Sequence, residues 1–454
     1  MTQLYKLKSS VRRTPVTDNL FSGIWIRWRA LTLAERFVCA NIVLVPVWWV
    51  VGFYKFMPLL LLLSVALYEL LQYGEIRLKR PSLPVVALLA FGTYQLVRIL
   101  LFYNQLGRTL TIFDDVLMLS FCPACLLWYI QSNNIRIRKE VVAWACTVSA
   151  VQMIGFWFLL QFVLPETIFL SPRPNLIALL TGKGLEDANN RLVPYERNNS
   201  GSLAELYRFS FFFISPQFFA VVAGFFSLVA LEIKNRFWSL LLFIACVFLI
   251  FLSATRAVWV AFPIVLALRY LFSNFGKPWG PPIIFALTAV ASFTTFSIPP
   301  ATNLVLEQFM SSAQSVDQVR AKSTDSRLEI YRQTWEGIQE NPLWGHMSRG
   351  PAISAGAQDY EVVGSHSVIL GNLLYLNGFV GTVIFAVFWI SLFIWFYQTR
   401  AERPLIGVSM LIFYTLVSPT IVTVYEMPIS SLLILLCAAI RSPKLKSLRE
   451  MRHA

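Results

Sequence analysis

Apolar runs about as long as a bilayer is thick recur along the chain, separated by polar connections that are mostly short. They fall at about 37–53, 57–73, 82–103, 112–130, 140–164, 209–230, 237–252, 255–272, 281–299, 367–397, 404–423 and 428–440. A membrane-crossing helix needs about 20 such residues. The pattern therefore predicts an all-α polytopic membrane protein with about twelve transmembrane helices. Two connections are long. One spans 165–207, and a larger one spans 300–365, between the ninth and tenth helices. The expected divisions are a basic N-terminal tail (1–36), a nine-helix membrane domain (37–299) carrying the 165–207 loop, and the large loop (300–365). A three-helix membrane segment (366–440) and a basic tail (441–454) complete the chain.

Composition strengthens this reading. The 454 residues are 57% hydrophobic and only 14% charged, against about 45–50% and about 25% in soluble domains. The net charge of +14 does not imply a nucleic-acid partner. Lys and Arg cluster in alternate short connections: Arg77-Lys79-Arg80, Arg136-Arg138-Lys139, Lys234-Arg236, Lys277, Arg400-Arg403 and the tail from Arg441. The intervening short connections carry only Lys55 and Arg108. This is the positive-inside pattern of an integral membrane protein. For a bacterial inner membrane it puts both termini in the cytoplasm and both long loops in the periplasm. The segment Ile24–Arg36 mixes Trp, Leu and Arg and is expected to lie on the membrane surface. Residues 1–35 hold no early apolar core with a cleavage site, so no signal peptide is read there. The six cysteines all fall in apolar runs, Cys122 and Cys125 included, and predict no disulfide framework.

Candidate chemistry gathers at the outer face. His366, between Ser365 and Ser367, begins an apolar run where the large loop meets the membrane. Its imidazole is the side chain best suited to exchange protons near neutral pH, although a His in that position also serves as a helix-cap neighbour. Arg256, in Leu252-Ser253-Ala254-Thr255-Arg256, stands at an outer helix end against the positive-inside trend. Arg208 precedes another outer helix start. Guanidinium groups bind phosphate bidentately, so the two could hold a pyrophosphate at the bilayer surface; snorkelling to the interface is the alternative for Arg256. Within the large loop, Ser326 and Glu329 have capping-box spacing. Leu328, Tyr331, Trp335 and Ile338 follow at helical spacing, and Pro342 ends that helix. Arg327, Arg332 and Glu329 on it read more readily as surface charges. Intramembrane Arg98 is expected to pair with Asp114 or Asp115. His346 and His453 read as structural. No metal-ligand spacing and no nucleotide loop is present.

The order Leu252-Ser253-x-x-Arg256, Ser326-Arg327-Leu328-Glu329-Ile330, Pro342-Leu343-Trp344-Gly345, Ser365-His366-Ser367 and Gly378-Phe379-Val380-Gly381 resembles the O-antigen ligase and O-antigen polymerase superfamily. The resemblance covers roughly residues 205–400. It implies a C-type membrane glycosyltransferase fold. It also implies an inverting reaction without metal or cofactor. A glycan would pass from an undecaprenyl-pyrophosphate carrier to an acceptor hydroxyl, on a glycan or a lipid, at the periplasmic face. By position, His366 matches the family histidine that deprotonates or orients the acceptor. Arg256 and Arg208 match arginines that bind the donor pyrophosphate, with Arg327 and Ser367 as supporting residues. In the ligases nine residues stand between the position after the histidine, here Ser367, and Gly-x-x-Gly, whereas ten (Val368–Asn377) stand here. Ligase, polymerase and protein-glycosylating branches are not separated by these residues. The alternative from another class is a transporter or flippase of lipid-linked oligosaccharides. That would call for a charged path through many spans and a repeat between halves, and neither is visible.

Overall fold

In the computed structural model, the described residues are 20–102, 109–164, 172–182, 184, 190–197, 207–274, 329–353, 362–400, 402–419 and 427–441. They are mostly helical. In chain order the helices are α1 (Leu33–Val43), α2 (Val45–Val51), α3 (Met57–Tyr73), α4 (Leu83–Leu101), α5 (Thr109–Val116), α6 (Cys122–Ser132) and α7 (Lys139–Phe162). Then follow α8 (Leu176–Thr181), α9 (Pro216–Ala230), α10 (Arg236–Leu252), α11 (Arg256–Asn274), α12 (329–340), α13 (Leu376–Gln398), α14 (Ile406–Val417) and α15 (Met427–Ala439). A π-helical segment, Leu117–Phe121, joins α5 to α6, and another, Ser367–Tyr375, runs into α13.

Among the described residues, six helices are long and apolar enough to cross a membrane, or seven if the bent pair α1–α2 is one span. The protein is a helical membrane protein. The bend of α1–α2 is 63°. It falls where Pro46 occupies the first turn of α2, because proline cannot donate to the preceding turn. Four shorter apolar helices (Pro216–Ala230, Arg236–Leu252, Ile406–Val417, Ser430–Ala439) lie among them. The expected span 281–299 lies outside the described residues.

The core is organised around α9. Every residue of α9 except Gln217 is buried, as the chargeless run PQFFAVVAGFFSLVA requires. Gly224 lets the Phe413 ring of α14 lie against its backbone, where an added Cβ would meet Phe413 Cε1 at 2.5 Å. The expected 209–230 span begins later than the hydropathy suggested. Residues Tyr207–Phe209 pair as a strand, β7, with Tyr195–Arg197, β6, and Phe211 turns the chain at φ 51° before α9 starts.

The contacts define two ends of the bundle. At one, the Tyr54 ring meets Phe213 at 6.1 Å and Thr255 Oγ1 donates to the Pro216 carbonyl at 3.3 Å. Helices α11 and α14 run antiparallel, since Phe262 meets Phe413 and Arg269 reaches Ser409. The 252–256 turn and Ser418 therefore share that end, and Val368 N–H donates to Ser418 O at 2.9 Å. His366 lies there too. At the opposite end Glu35 binds Arg138 at 2.6 Å. Glu232 binds Arg269 at 2.5 Å and Lys139 at 3.5 Å, and Glu402 approaches Arg136 at 3.6 Å. Residues Ile137–Arg138, β3, pair in parallel with Ile440–Arg441, β8. Arg403 Nη1 caps the end of α15 by donating to the carbonyls of Cys437 and Ala438. Burial, with Arg441 beside it, pushes that guanidinium down to about 9.

One expectation is corrected. Arg98 does not pair with an aspartate: Asp114 and Asp115 bind Lys55 at 2.9 and 3.2 Å. Arg98 instead donates to Leu376 O at 3.0 Å and Asn377 Oδ1 at 3.3 Å. The physical reason is a break in the helix at Gly378, whose freed carbonyls attract the cation. The Ile24–Arg36 segment is built of short pieces. Phe21–Ser22 (β1) and Trp25–Ile26 (β2) form a hairpin that exposes Ile24 and Trp25. The chain then enters α1 through a capping box of Thr32 and Glu35.

Candidate functional site

His366 is placed by the backbone on both sides of it. It caps the π-helical segment in an extended conformation, φ −95° and ψ 148°. Gly364 before it and Ser367 after it have φ of 78° and 69°. Glycine adopts this region readily, but serine is strained there. Ser367 Oγ offsets part of that by accepting from Leu370 N–H at 3.1 Å. Gly371 closes the turn so tightly that a Cβ there would meet the His366 carbonyl at 2.5 Å.

The imidazole is buried, 3% exposed, between two fully buried serines. Its Nδ1 lies 2.9 Å from Ser365 Oγ. The hydroxyl can donate to or accept from that nitrogen. If Nδ1–H donates to the hydroxyl, Nε2 is the basic nitrogen. The Tyr331 ring stands edge-on to the imidazole at 6.2 Å, and Tyr331 O–H donates to Pro419 O at 3.3 Å. Thr334 Oγ1 accepts from Gly364 N–H at 2.9 Å. Helix α12 thus holds the His366 segment from above.

The buried stripe of α12 differs from the expected one. Ile330, Thr334, Gly337 and Ile338 are buried, whereas Trp335 is 52% exposed. Tyr331 and Ile338 belong to the packed face, and the true stripe turns toward Thr334 and Gly337. Gly337 is small because the Tyr375 ring lies against it. Glu329 accepts hydrogen bonds from Arg332 and Gln333, which hold its carboxyl below the usual range. Ser326, Arg327 and Leu328 lie outside the described residues.

The segment from Pro342 to Met347 docks into the helix break. Phe379 N–H donates to Pro342 O at 2.8 Å and Val380 N–H to Leu343 O at 3.2 Å. His346 and Met347 N–H groups donate to the carbonyls of Tyr375 and Leu376. His346 is structural, as expected. Its ring stacks on Tyr375 at 4.5 Å, and Nε2 donates to Gly337 O at 2.6 Å. Gly378 adopts φ 65°, ψ −175°, a region open essentially to glycine alone. From the other side, Tyr94 O–H donates to Asn377 O at 2.7 Å and Gln95 to Asn377 Oδ1 at 3.1 Å. The ten residues between Ser367 and Gly378 are wound largely as π-helix. Its i→i+5 bonding takes up more residues per turn than an α-helix, so one extra residue fits without moving Gly378 away from the Pro342–Met347 turn.

The arginines share the His366 end. Arg256 opens α11 and is exposed, with no hydrogen-bond or ion-pair partner among the described residues. Arg208 lies on β7, paired across the ladder with Glu196, whose carboxylate is 3.4 Å from Nη1. Its buried Nε has no hydrogen-bond partner among the described residues. The Leu-Ser-x-x-Arg element forms a tight turn. Ser253 Oγ donates to Ile250 O at 2.6 Å and accepts from Thr255 N–H at 3.2 Å. Ala254 has φ 48°.

Sequence reasoning passed over Ser365, Tyr331, Thr334 and the Arg98–Asn377 contact as supports of the site. Ser365 alone had a local signal, adjacency to His366; the others depend on contacts between distant segments.

No curated protein matches the chain. Residues 240–368, under a third of the chain, match the family model for O-antigen ligases. The match takes in Arg256, His366 and Ser367; Arg208 stands outside it. The apolar helices mark a membrane protein, and residues 240–368 are similar to the O-antigen ligase family.

Proposed function

We propose that the protein transfers a glycan from an undecaprenyl-pyrophosphate carrier to an acceptor hydroxyl at the periplasmic face of a bacterial inner membrane. In this reading the chain has twelve spans in a C-type glycosyltransferase arrangement. The ion-paired end of the bundle lies in the cytoplasm with both termini, and the His366 end faces the periplasm. The observation that carries the reading is the chemistry of that end: a buried imidazole oriented by Ser365, with Arg256 lacking an acid partner among the described residues and a buried Nε of Arg208 unsatisfied.

The chemistry follows from these groups. His366 takes the proton of the acceptor hydroxyl. The oxygen attacks the anomeric carbon of the donor sugar from the face opposite the carrier. The bond from that carbon to the pyrophosphate oxygen breaks, and its electron pair leaves with the polyprenyl pyrophosphate. The configuration inverts. Arg256 and Arg208 bind the pyrophosphate and stabilise the charge that grows on it. Ser367 holds the backbone turn under His366. Arg327 is proposed as a further supporting residue. The proton on His366 passes to solvent before the next cycle.

The test is complementation of a strain lacking the protein, with His366→Ala and Arg256→Ala at normal membrane abundance. The expected outcome is loss of surface glycan, with the lipid-linked precursor accumulating on the periplasmic side. Long chains on the carrier then identify a ligase, single units a polymerase. Full activity of both variants overturns the site. Precursor confined to the cytoplasmic side marks a flippase instead.

A further inference from the structure

At the ion-paired end one group of arginines is only partly paired. Arg136 precedes β3, Arg441 ends β8, and Arg403 lies in the connection between α13 and α14. The β3–β8 ladder brings the first two together, since Ile137 pairs with Ile440 and Arg138 with Arg441. Arg403 reaches the same place by donating to the carbonyls of Cys437 and Ala438, just before β8. Arg441 stands between the other two. Burial holds Arg403 and Arg441 below the usual guanidinium range, and each is lowered further by a neighbouring cation, Arg441 for the first and Arg136 for the second.

Three guanidinium groups thus share one carboxylate. Among the described residues that acid is Glu402, 3.6 Å from Arg136 Nη2. Arg403 is 5% exposed. Its Nε donates to Thr399 Oγ1 at 2.7 Å, but its buried Nη2 has no hydrogen-bond partner among the described residues. The buried Nε of Arg441 has none either. The Trp395 ring, 4.1 Å from Arg403 Cζ, offsets part of the cost of that charge. The chain after Arg441 adds Lys444, Lys446 and Arg449 before its first acid, Glu450. A cation beside hydrocarbon is costly unless it is satisfied, and like charges make each other costlier. The deficit is in negative charge and in hydrogen-bond acceptors at once. A phosphate supplies both.

We infer that Arg136, Arg403 and Arg441 bind a phosphate group at the ends of α13 and α15. The three are graded in depth, with Arg136 exposed, Arg441 half-buried and Arg403 buried. The anion therefore comes from the surface onto Arg136 and Arg441, with Arg403 behind them. Basic pockets between the ends of membrane helices suit anionic lipid headgroups; free phosphate has the same chemistry. A phosphate held there joins the α6–α7 turn to the ends of α13 and α15. Neither donor nor acceptor of the proposed reaction takes part, so failure of this site leaves that reaction standing.

The test follows the melting temperature and native mass spectra of the full-length protein in detergent with phosphatidylglycerol, phosphatidylcholine or inorganic phosphate. Phosphatidylglycerol is expected to bind roughly tenfold more tightly than phosphatidylcholine and to raise the melting temperature. Arg403 also caps α15, so the variants are Arg441→Gln and Arg136→Gln, which leave that cap in place. Each should bring the two lipids to near-equal affinity. Without lipid, Arg441→Gln should melt no lower than the unmodified protein, because repulsion at Arg403 is relieved; this separates loss of a ligand from loss of the fold. Arg77→Gln, at the same end but ion-paired with Glu75, is the control and should keep the preference. Phosphatidylglycerol retained against inorganic phosphate makes the ligand a lipid headgroup. Inorganic phosphate that displaces it and reproduces its stabilisation makes the ligand a free anion. Equal affinity of the two lipids with no effect of inorganic phosphate overturns the site. So does a preference that survives in both variants, or one that Arg77→Gln removes as fully.

Discussion

The two ends of the helix bundle use the same residue types for opposite purposes. At one end the basic side chains are tied to partners within the chain: Arg138 to Glu35, Lys139 and Arg269 to Glu232, Arg136 to Glu402, and Arg403 to the last carbonyls of α15. At the other, Lys55 is neutralised by Asp114 and Asp115. Arg208 pairs with Glu196, whereas Arg256 stands exposed with no hydrogen-bond or ion-pair partner among the described residues. A charge beside hydrocarbon is costly unless paired. Where it is paired within the chain, it serves the fold. Where it is not, as at exposed Arg256, it can meet a partner from outside.

The largest expected break in this contrast is His366→Ala. Glycan transfer should fall by roughly 10³-fold, within the range general bases supply, while membrane abundance and thermal stability stay near those of the unmodified protein. Normal transfer by that variant removes the imidazole from the mechanism. Arg256→Ala should follow, with a loss of about 10²-fold in transfer and weaker retention of polyprenyl pyrophosphate. Arg256→Lys restores only part of it, because the bidentate fork is gone.

At the paired end the readout reverses. Arg138→Ala leaves the buried Glu35 carboxylate without its cation and should cost about 3 kcal/mol of stability. It lowers the melting temperature in detergent, yet the specific activity of the protein that remains folded is unchanged. Loss of specific activity without loss of stability would erase the distinction between the two ends. Gly378→Ala lies between the cases. Its φ and ψ suit glycine, and a Cβ would collide with the Leu343 carbonyl. It should cost about 1–3 kcal/mol and also lower transfer, because the break anchors the segment that carries His366. The smallest effect is expected for Ser365→Ala, a loss of roughly tenfold or less. Its mark is a shifted pH–rate profile, since the Ser365 hydroxyl bonds Nδ1 of His366. Ser365→Thr keeps the hydroxyl and should restore the profile, a rescue that a purely structural role would not predict.

Much of this was legible from the order of residues. Helix starts such as Leu83, Lys139, Arg236 and Arg256 lie within a few residues of the expected spans, because hydrocarbon thickness and the helical rise leave little freedom in where an apolar run begins and ends. Charge patterning assigned Arg208, Arg256 and His366 to one side, and the contacts bring their segments to one end. The linear chain could not show what depends on partners far apart in it. Arg98 appeared destined for Asp114 or Asp115. It binds Asn377 because the chain breaks at Gly378, and a broken helix offers carbonyls that an intact one keeps to itself. The packed face of α12 turned toward Thr334 and Gly337 because Gly364 and Tyr375 lie beneath it. The sequence by itself determined the membrane helices and the chemistry available at their ends. Only the tertiary structure decided which polar groups are consumed in holding the fold, because burial makes pairing obligatory and burial is set by distant segments.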